Sequence, residues 1–172
     1  ARALLSEAGY VNGLNVTLTT KNDQGEPELA RALKELAAPG GFNIALNIVE
    51  PATYWSQWTE VNFGITTWAH RPLDTMTLSL AYTINPSGSP AAWNETHWID
   101  PEFITELRRA ERTLDVVQRR NIMCTLQEIM QARGPIGISY WRNGWTIMHN
   151  SFQGISAHPT GYDLFSTVWK SR

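Results

Sequence analysis

One cysteine, Cys124, in 172 residues removes any internal disulfide and any cysteine-based zinc site. No apolar run approaches the ~20 residues that a membrane-spanning helix needs. Basic clusters are missing too: 14 Lys and Arg against 16 Asp and Glu leave a net charge of −2, so nucleic acid meets no electrostatic footprint. Only four histidines occur, and none forms a His-x-x-x-His or Glu-x-x-His pair on a helix. A Gly-x-Ser-x-Gly elbow and a glycine-rich phosphate loop are also absent. No catalytic residue, resident metal or cofactor is therefore expected. Residues 1–9 lack the charged-then-apolar pattern of a secretory leader and start directly in a helix, as a piece cut from a longer protein would.

What is present in excess is tryptophan, eight in all. Trp55, Trp58, Trp68, Trp93, Trp98 and Trp141 stand beside polar turn residues instead of inside apolar runs, which favours a recognition cleft over pure core. Hydrophobic content of 42% and charged content of 17% suit a globular α/β domain.

In chain order, residues 1–8 read as a helix with Leu4 and Leu5 inward, closed by Gly9. Residues 14–20 alternate Leu14, Val16 and Leu18 with Asn15, Thr17 and Thr19, the period of a strand. Residues 26–38 form a helix with Pro27 in its first turn and Leu29, Leu33 and Leu36 on one face. A second strand follows at 42–49, then a short helix from Pro51 carrying Tyr54, Trp55 and Trp58. Strand–helix–strand–helix–strand spacing predicts parallel strands with right-handed crossovers. Their carboxyl ends would gather Thr20-Lys21-Asn22, Glu50-Pro51 and residues 68–71. Asp100-Pro101 and Asp115 are helix starts with a carboxylate cap. The helix to residue 133 buries Ile122, Leu126, Ile129 and Met130, with Cys124 expected as an inert buried thiol. Residues 136–141, 145–148 and 152–155 read as strands, with Asn143-Gly144 as a hairpin turn.

The stretch 63–74 organises the rest. Residues 61–68 read as the third strand, and Pro72 as the first residue of a helix running to about residue 82. Trp68, His70 and Arg71 then fall where a strand ends and a helix begins. Ligands collect at that edge of an open α/β sheet, beside the free N–H groups of the helix. Arg71 adds a planar fork that holds a carboxylate through two parallel bonds. The same residues admit a plainer reading, with Trp68 as core and Arg71 as a solvated cap.

Several motifs in order carry a family resemblance. They are Ala3-Leu4-Leu5-x-Glu7-Ala8-Gly9-Tyr10-x-Asn12-Gly13 ahead of a strand, Trp68 at a strand end, and Asp100-Pro101-Glu102-Phe103. Asp115-x-x-x-Arg119 follows, opening a helix with Gln127, Ile129 and Met130. The strands after Pro135 and the tail His158-Pro159-x-Gly161-Tyr162 before Val168-Trp169 complete the set. Together they resemble the extracellular solute-binding proteins of family 5, the dipeptide, oligopeptide and nickel receptors of ABC importers.

The resemblance implies a type II periplasmic-binding-protein lobe: a mostly parallel central sheet flanked by helices, with a C-terminal β-hairpin. Residues 1–157 would be the ligand-closing lobe, and 158–172 a segment crossing back toward a first lobe outside this chain. It implies a periplasmic or extracellular protein, held near the membrane through its transporter, that hands a peptide or peptide-like solute to a permease and does no chemistry. In peptide-binding members an aspartate shortly after this tryptophan pairs with the peptide ammonium. Here the third residue after Trp68 is Arg71, and the nearest acid is Asp74. The reversed charge predicts a solute with an exposed carboxylate, such as a modified peptide, an opine-like conjugate or a sugar acid. Asn94, His97 and Trp98 match a segment near the cleft, and Trp55 is a further candidate. The plainer reading of Glu95 and His97 is loop bracing, and of Tyr54, Trp55 and Trp58 a helix face packed on the sheet.

Three rivals remain open on sequence. A nickel or metal-chelate receptor of the same family would draw on His70 and His97, too few donors alone for a first-row metal. A carbohydrate-active enzyme domain would need two opposed carboxylates. An interaction module would use the aromatic edge as a protein-binding face.

Overall fold

The computed structural model describes residues 1–158 and 160–171. Pro159 of the tail motif and Arg172, both in the expected crossing segment, lie outside the described residues. Contacts divide the chain into two units, Ala1–Trp68 and Ala69–Arg172.

The first unit is built on two parallel strands, β1 (Leu14–Lys21) and β2 (Phe42–Val49), in register from Leu14 opposite Phe42 to Lys21 opposite Val49. A parallel pair needs a crossover, supplied by α2 (Glu26–Ala37). Leu18, Ala30 and Ile44 are buried together, with Val16, Leu33, Ala37, Phe42, Leu46 and Ile65 packed around them. The inward face of α2 is thus Ala30, Leu33 and Ala37, and Leu36 is 81% exposed, contrary to the stripe read from sequence. Ala30 and Ala37 lie two turns apart on one side, and small residues there let the helix approach the sheet. The other sheet face is polar, with the Asn43 amide donating to Asn15 Oδ1 at 2.9 Å. In α1 (Arg2–Glu7) Leu5 is buried and Leu4 exposed. The short α3 (Pro51–Gln57) follows β2.

The expected third strand at 61–68 shrinks to one parallel bridge, Gly64 beside Thr19. Thr19 N–H donates to the Phe63 carbonyl at 2.9 Å, and Ile65 N–H to the Thr19 carbonyl at 3.3 Å. Glycine fits this crossing closely: a Cβ on Gly64 would lie 3.0 Å from the Tyr54 hydroxyl and 3.2 Å from the Thr19 carbonyl oxygen, so these neighbours would have to give way. Beyond Ile65 the chain leaves the ladder and is held by side chains instead.

In the second unit the helix expected from Pro72 starts later, as α4 (Asp74–Ala81). Asp74, not Pro72, is its first residue, and the Asp74 carboxylate accepts the Thr75 N–H at 2.9 Å. α5 (Pro101–Arg112) and α6 (Val116–Arg133) start where expected. Asp100 accepts the Phe103 N–H at 2.9 Å, and Asp115 the Gln118 N–H at 2.7 Å. Phe103, Ile104, Leu107 and Ala110 of α5 and Ile122, Leu126 and Ile129 of α6 are buried at helical spacing. Cys124 is exposed, correcting the expectation of a buried thiol, because two residues on from Ile122 a helix has turned to its far side. Arg133, at the end of α6, returns to the start of α5: its Nε lies 2.5 Å from Asp100 Oδ2, and its second nitrogen reaches Glu102.

An antiparallel pair is present near the C-terminus, between β3 (Phe152–Gln153) and β4 (Trp169–Lys170). Residues 136–148 take no regular structure, so the strands expected at 136–141 and 145–148 do not form. A two-residue hairpin of the favoured type needs positive φ at both turn residues, and neither Asn143 nor Gly144 has it. A lone hairpin also buries too little to hold itself. Ile138, Trp141, Trp145 and Ile147 are accordingly exposed. The class is α/β, with a small parallel sheet flanked by helices and a C-terminal antiparallel pair.

Candidate binding site

The carboxyl end of β1 holds a buried ion pair. Lys21, the last residue of β1, and Glu26, the first of α2, are 1% and 2% exposed, with Lys21 Nζ 2.5 Å from Glu26 Oε1. The same Oε1 accepts the Thr67 N–H at 3.1 Å and the Thr67 hydroxyl at 2.6 Å. Glu26 Oε2 lies 2.9 Å from the Thr20 hydroxyl, which shares its proton with the Ile65 carbonyl at 3.1 Å. Burying a carboxylate costs several kcal/mol unless charge and donors offset it. Here an ammonium, two hydroxyls, a backbone N–H and the positive end of α2 all do so.

Aromatic rings continue from this pair. Lys21 Nζ sits 5.5 Å from the Trp55 ring centroid, within cation–π range. Trp55 meets Trp58 edge-on at 5.6 Å, and Trp58 meets Trp68 at 6.2 Å. Tyr54, fully buried, bonds the Thr66 hydroxyl at 2.7 Å. Of the candidates read from sequence, Trp55 and Trp68 are thus brought into one row through Trp58, with Trp55 44% exposed and Trp68 half-buried.

The other six candidates belong to the second unit. His70 and Asp74 are exposed. Arg71 is half-buried, and among the described residues its buried Nε has no hydrogen-bond partner. Asn94 is 1% exposed and spent inside its own loop. Its amide donates to the Thr83 carbonyl at 3.1 Å and the Trp98 carbonyl at 2.9 Å, and its oxygen accepts the Thr96 hydroxyl. Both amide hydrogens of Asn94 are thus committed within its own loop, which the side chain braces. Trp98 packs edge-on against Phe103 at 5.1 Å and Tyr82 at 6.2 Å. Burial, with Glu95 nearby, pushes the Tyr82 phenol up to about 12. His97 is exposed and takes a left-handed backbone, φ 54°. Among the described residues no three His, Cys, Asp or Glu side chains gather to hold a metal ion.

Glu26 and Thr67 were not among the candidates read from sequence, and Lys21 was read only as one of the residues gathered at the strands' carboxyl ends. Their signal was a charged residue closing an alternating strand and an acid directly before Pro27 at a helix start. A hollow of about 580 Å³ lies at the other end of the strands, beside Val16, Phe42 and Lys34, away from this pair. No helix of the described residues is long and apolar enough to cross a membrane.

No protein-family model matches the chain, and no curated protein matches it in sequence. Solved structures do match. The Escherichia coli murein tripeptide binding protein MppA is 19% identical with a TM-score of 0.80, over 99% of this chain and 34% of that one. The Helicobacter pylori ABC transporter-associated periplasmic binding protein DppA, solved with the peptide STSA, is 19% identical with a TM-score of 0.75, over 99% and 34%. The A. tumefaciens R10 protein MoaA, solved with mannopinic acid, is 23% identical with a TM-score of 0.65, over 75% and 27%. The chain therefore has the fold of the periplasmic peptide-binding proteins and spans about a third of the length of MppA and DppA.

Proposed function

We propose that this chain is part of the ligand-closing lobe of a family 5 solute-binding protein that delivers a peptide or peptide-like solute to an ABC permease. Agreement over 99% of the chain with MppA supports this reading, as do the ordered family motifs. Residues 1–157 would form the lobe, and 158–172 would cross back toward the lobe outside this chain. The protein would work in the periplasm, binding without catalysis.

The solute would carry an exposed carboxylate, held by Arg71. A guanidinium nitrogen withheld from water and left without a partner is costly unless an anion completes it, and this observation supports the role of Arg71. Within the first unit, Trp55 and Trp68 would offer flat apolar faces of their own. The fold is compatible with such a solute, since MoaA was solved with mannopinic acid.

The test is calorimetry of the intact receptor with the dipeptide Met-Leu, N-acetyl-Met-Leu and mannopinic acid, beside mass spectrometry of whatever co-purifies. A charged hydrogen bond contributes about 1.5–3 kcal/mol, so Arg71→Ala should weaken binding of the preferred acid roughly 10- to 100-fold. An Arg71→Ala receptor with unaltered affinity would refute the carboxylate assignment. A receptor that takes none of these probes and co-purifies with no acid would refute it as well.

A further inference from the structure

We infer that the buried Lys21–Glu26 pair positions the Trp68 and Trp55 indoles for the solute, an inference that rests on the solute-binding reading above. After Ile65 the chain has left the strand ladder, so the residues leading to Trp68 are placed by side-chain bonds. Glu26 Oε1 takes both the N–H and the hydroxyl of Thr67, the residue from which Trp68 follows. The opposite end of the pair faces the second indole, with Lys21 Nζ 5.5 Å from the Trp55 centroid. Trp58 joins the two indoles edge to face. A displacement of the Glu26 carboxylate therefore moves both ends of the aromatic row. A buried ion pair is seldom more stabilising than an apolar pair of the same shape. What this one supplies is direction: two donors of a single residue converge on one oxygen of a carboxylate whose residue is 2% exposed. Glu26 and Lys21 touch no solute themselves and act through the tryptophans.

Two variants of the intact protein test this. Thr67→Val leaves the ion pair whole and removes one of the two Thr67 bonds. Glu26→Gln keeps the shape and removes the charge. In each, the Trp68 contribution is isolated by subtracting the circular dichroism of the matching Trp68→Phe protein, and its exposure is read by iodide quenching. The expected result is loss of the Trp58–Trp68 exciton signal, a several-fold rise in quenching and a several-fold weaker Kd for whichever of Met-Leu, N-acetyl-Met-Leu or mannopinic acid the receptor binds. A purely structural role would leave the Trp68 signal of folded Thr67→Val unchanged, and that result overturns the inference. Unchanged affinity in a variant whose Trp68 signal is lost also overturns it. If the signal is lost but the unsubstituted receptor binds no probe, the positioning of the indoles stands and the solute-binding reading falls.

Discussion

Replacing Lys21 with methionine keeps most of the aliphatic stem and removes the ammonium, leaving Glu26 as a buried carboxylate without its countercharge. Breaking a buried pair in this way costs about 3–5 kcal/mol. Three donors remain on Glu26, from Thr20 and Thr67, so the lower end of that range applies. Loss of the cation beside Trp55 adds only about 0.5–1 kcal/mol at a half-exposed ring. The expected cost is about 3.5–4 kcal/mol. With a urea slope of roughly 1–3 kcal/mol/M, the unfolding midpoint should fall by about 1–4 M. Tryptophan emission reports it, since Trp55, Trp58 and Trp68 lie beside the pair. The double variant Lys21→Met/Glu26→Gln removes both charges and should regain at least half of the loss, because neutral isosteres of a buried pair are often tolerated. A Lys21→Met midpoint within about 0.3 M of the unsubstituted chain, or a double variant worse than the single, would refute the energetic account.

Three further outcomes follow from the same geometry. The Arg133 hydrogen bond, more than any other contact, holds the Asp100 carboxyl below its usual range. A lowered carboxyl contributes stability above its unfolded value of about 4, lost as pH falls through the folded value. Arg133→Met should thus be less stable than the unsubstituted chain at pH 7, and the gap should close toward pH 3; a gap that widens on acidification would contradict the assignment. Gly64→Val should cost roughly 1–3 kcal/mol by pushing the Tyr54 hydroxyl and the Thr19 carbonyl apart, measured by urea unfolding. Asn94→Ala should cost about 1–3 kcal/mol and shift Trp98 emission, because the Thr83 and Trp98 carbonyls lose their shared donor.

Local signals carried over into the fold wherever a single element decides its own form. Period-two alternation placed β1 and β2, and Asp100 and Asp115 marked the starts of α5 and α6, because capping and strand pleat depend on neighbours in sequence. Trp55 and Trp68 were legible as candidates through their company of turn residues. The tertiary structure alone decided the rest. It chose Ala30 and Ala37 over Leu36 as the inner face of α2, since only the sheet determines which side is covered. It ended the third strand at Gly64, because Thr66 and Thr67 find partners in Tyr54 and Glu26 that lie 12 and 41 residues away. It withdrew Asn94 into its loop, and it left residues 136–148 without the strands their alternation suggests, since pattern forms a strand only where another strand accepts its hydrogen bonds. Above all it buried Lys21 against Glu26: in sequence both are ordinary surface charges, and only packing removes the water that would otherwise keep them apart.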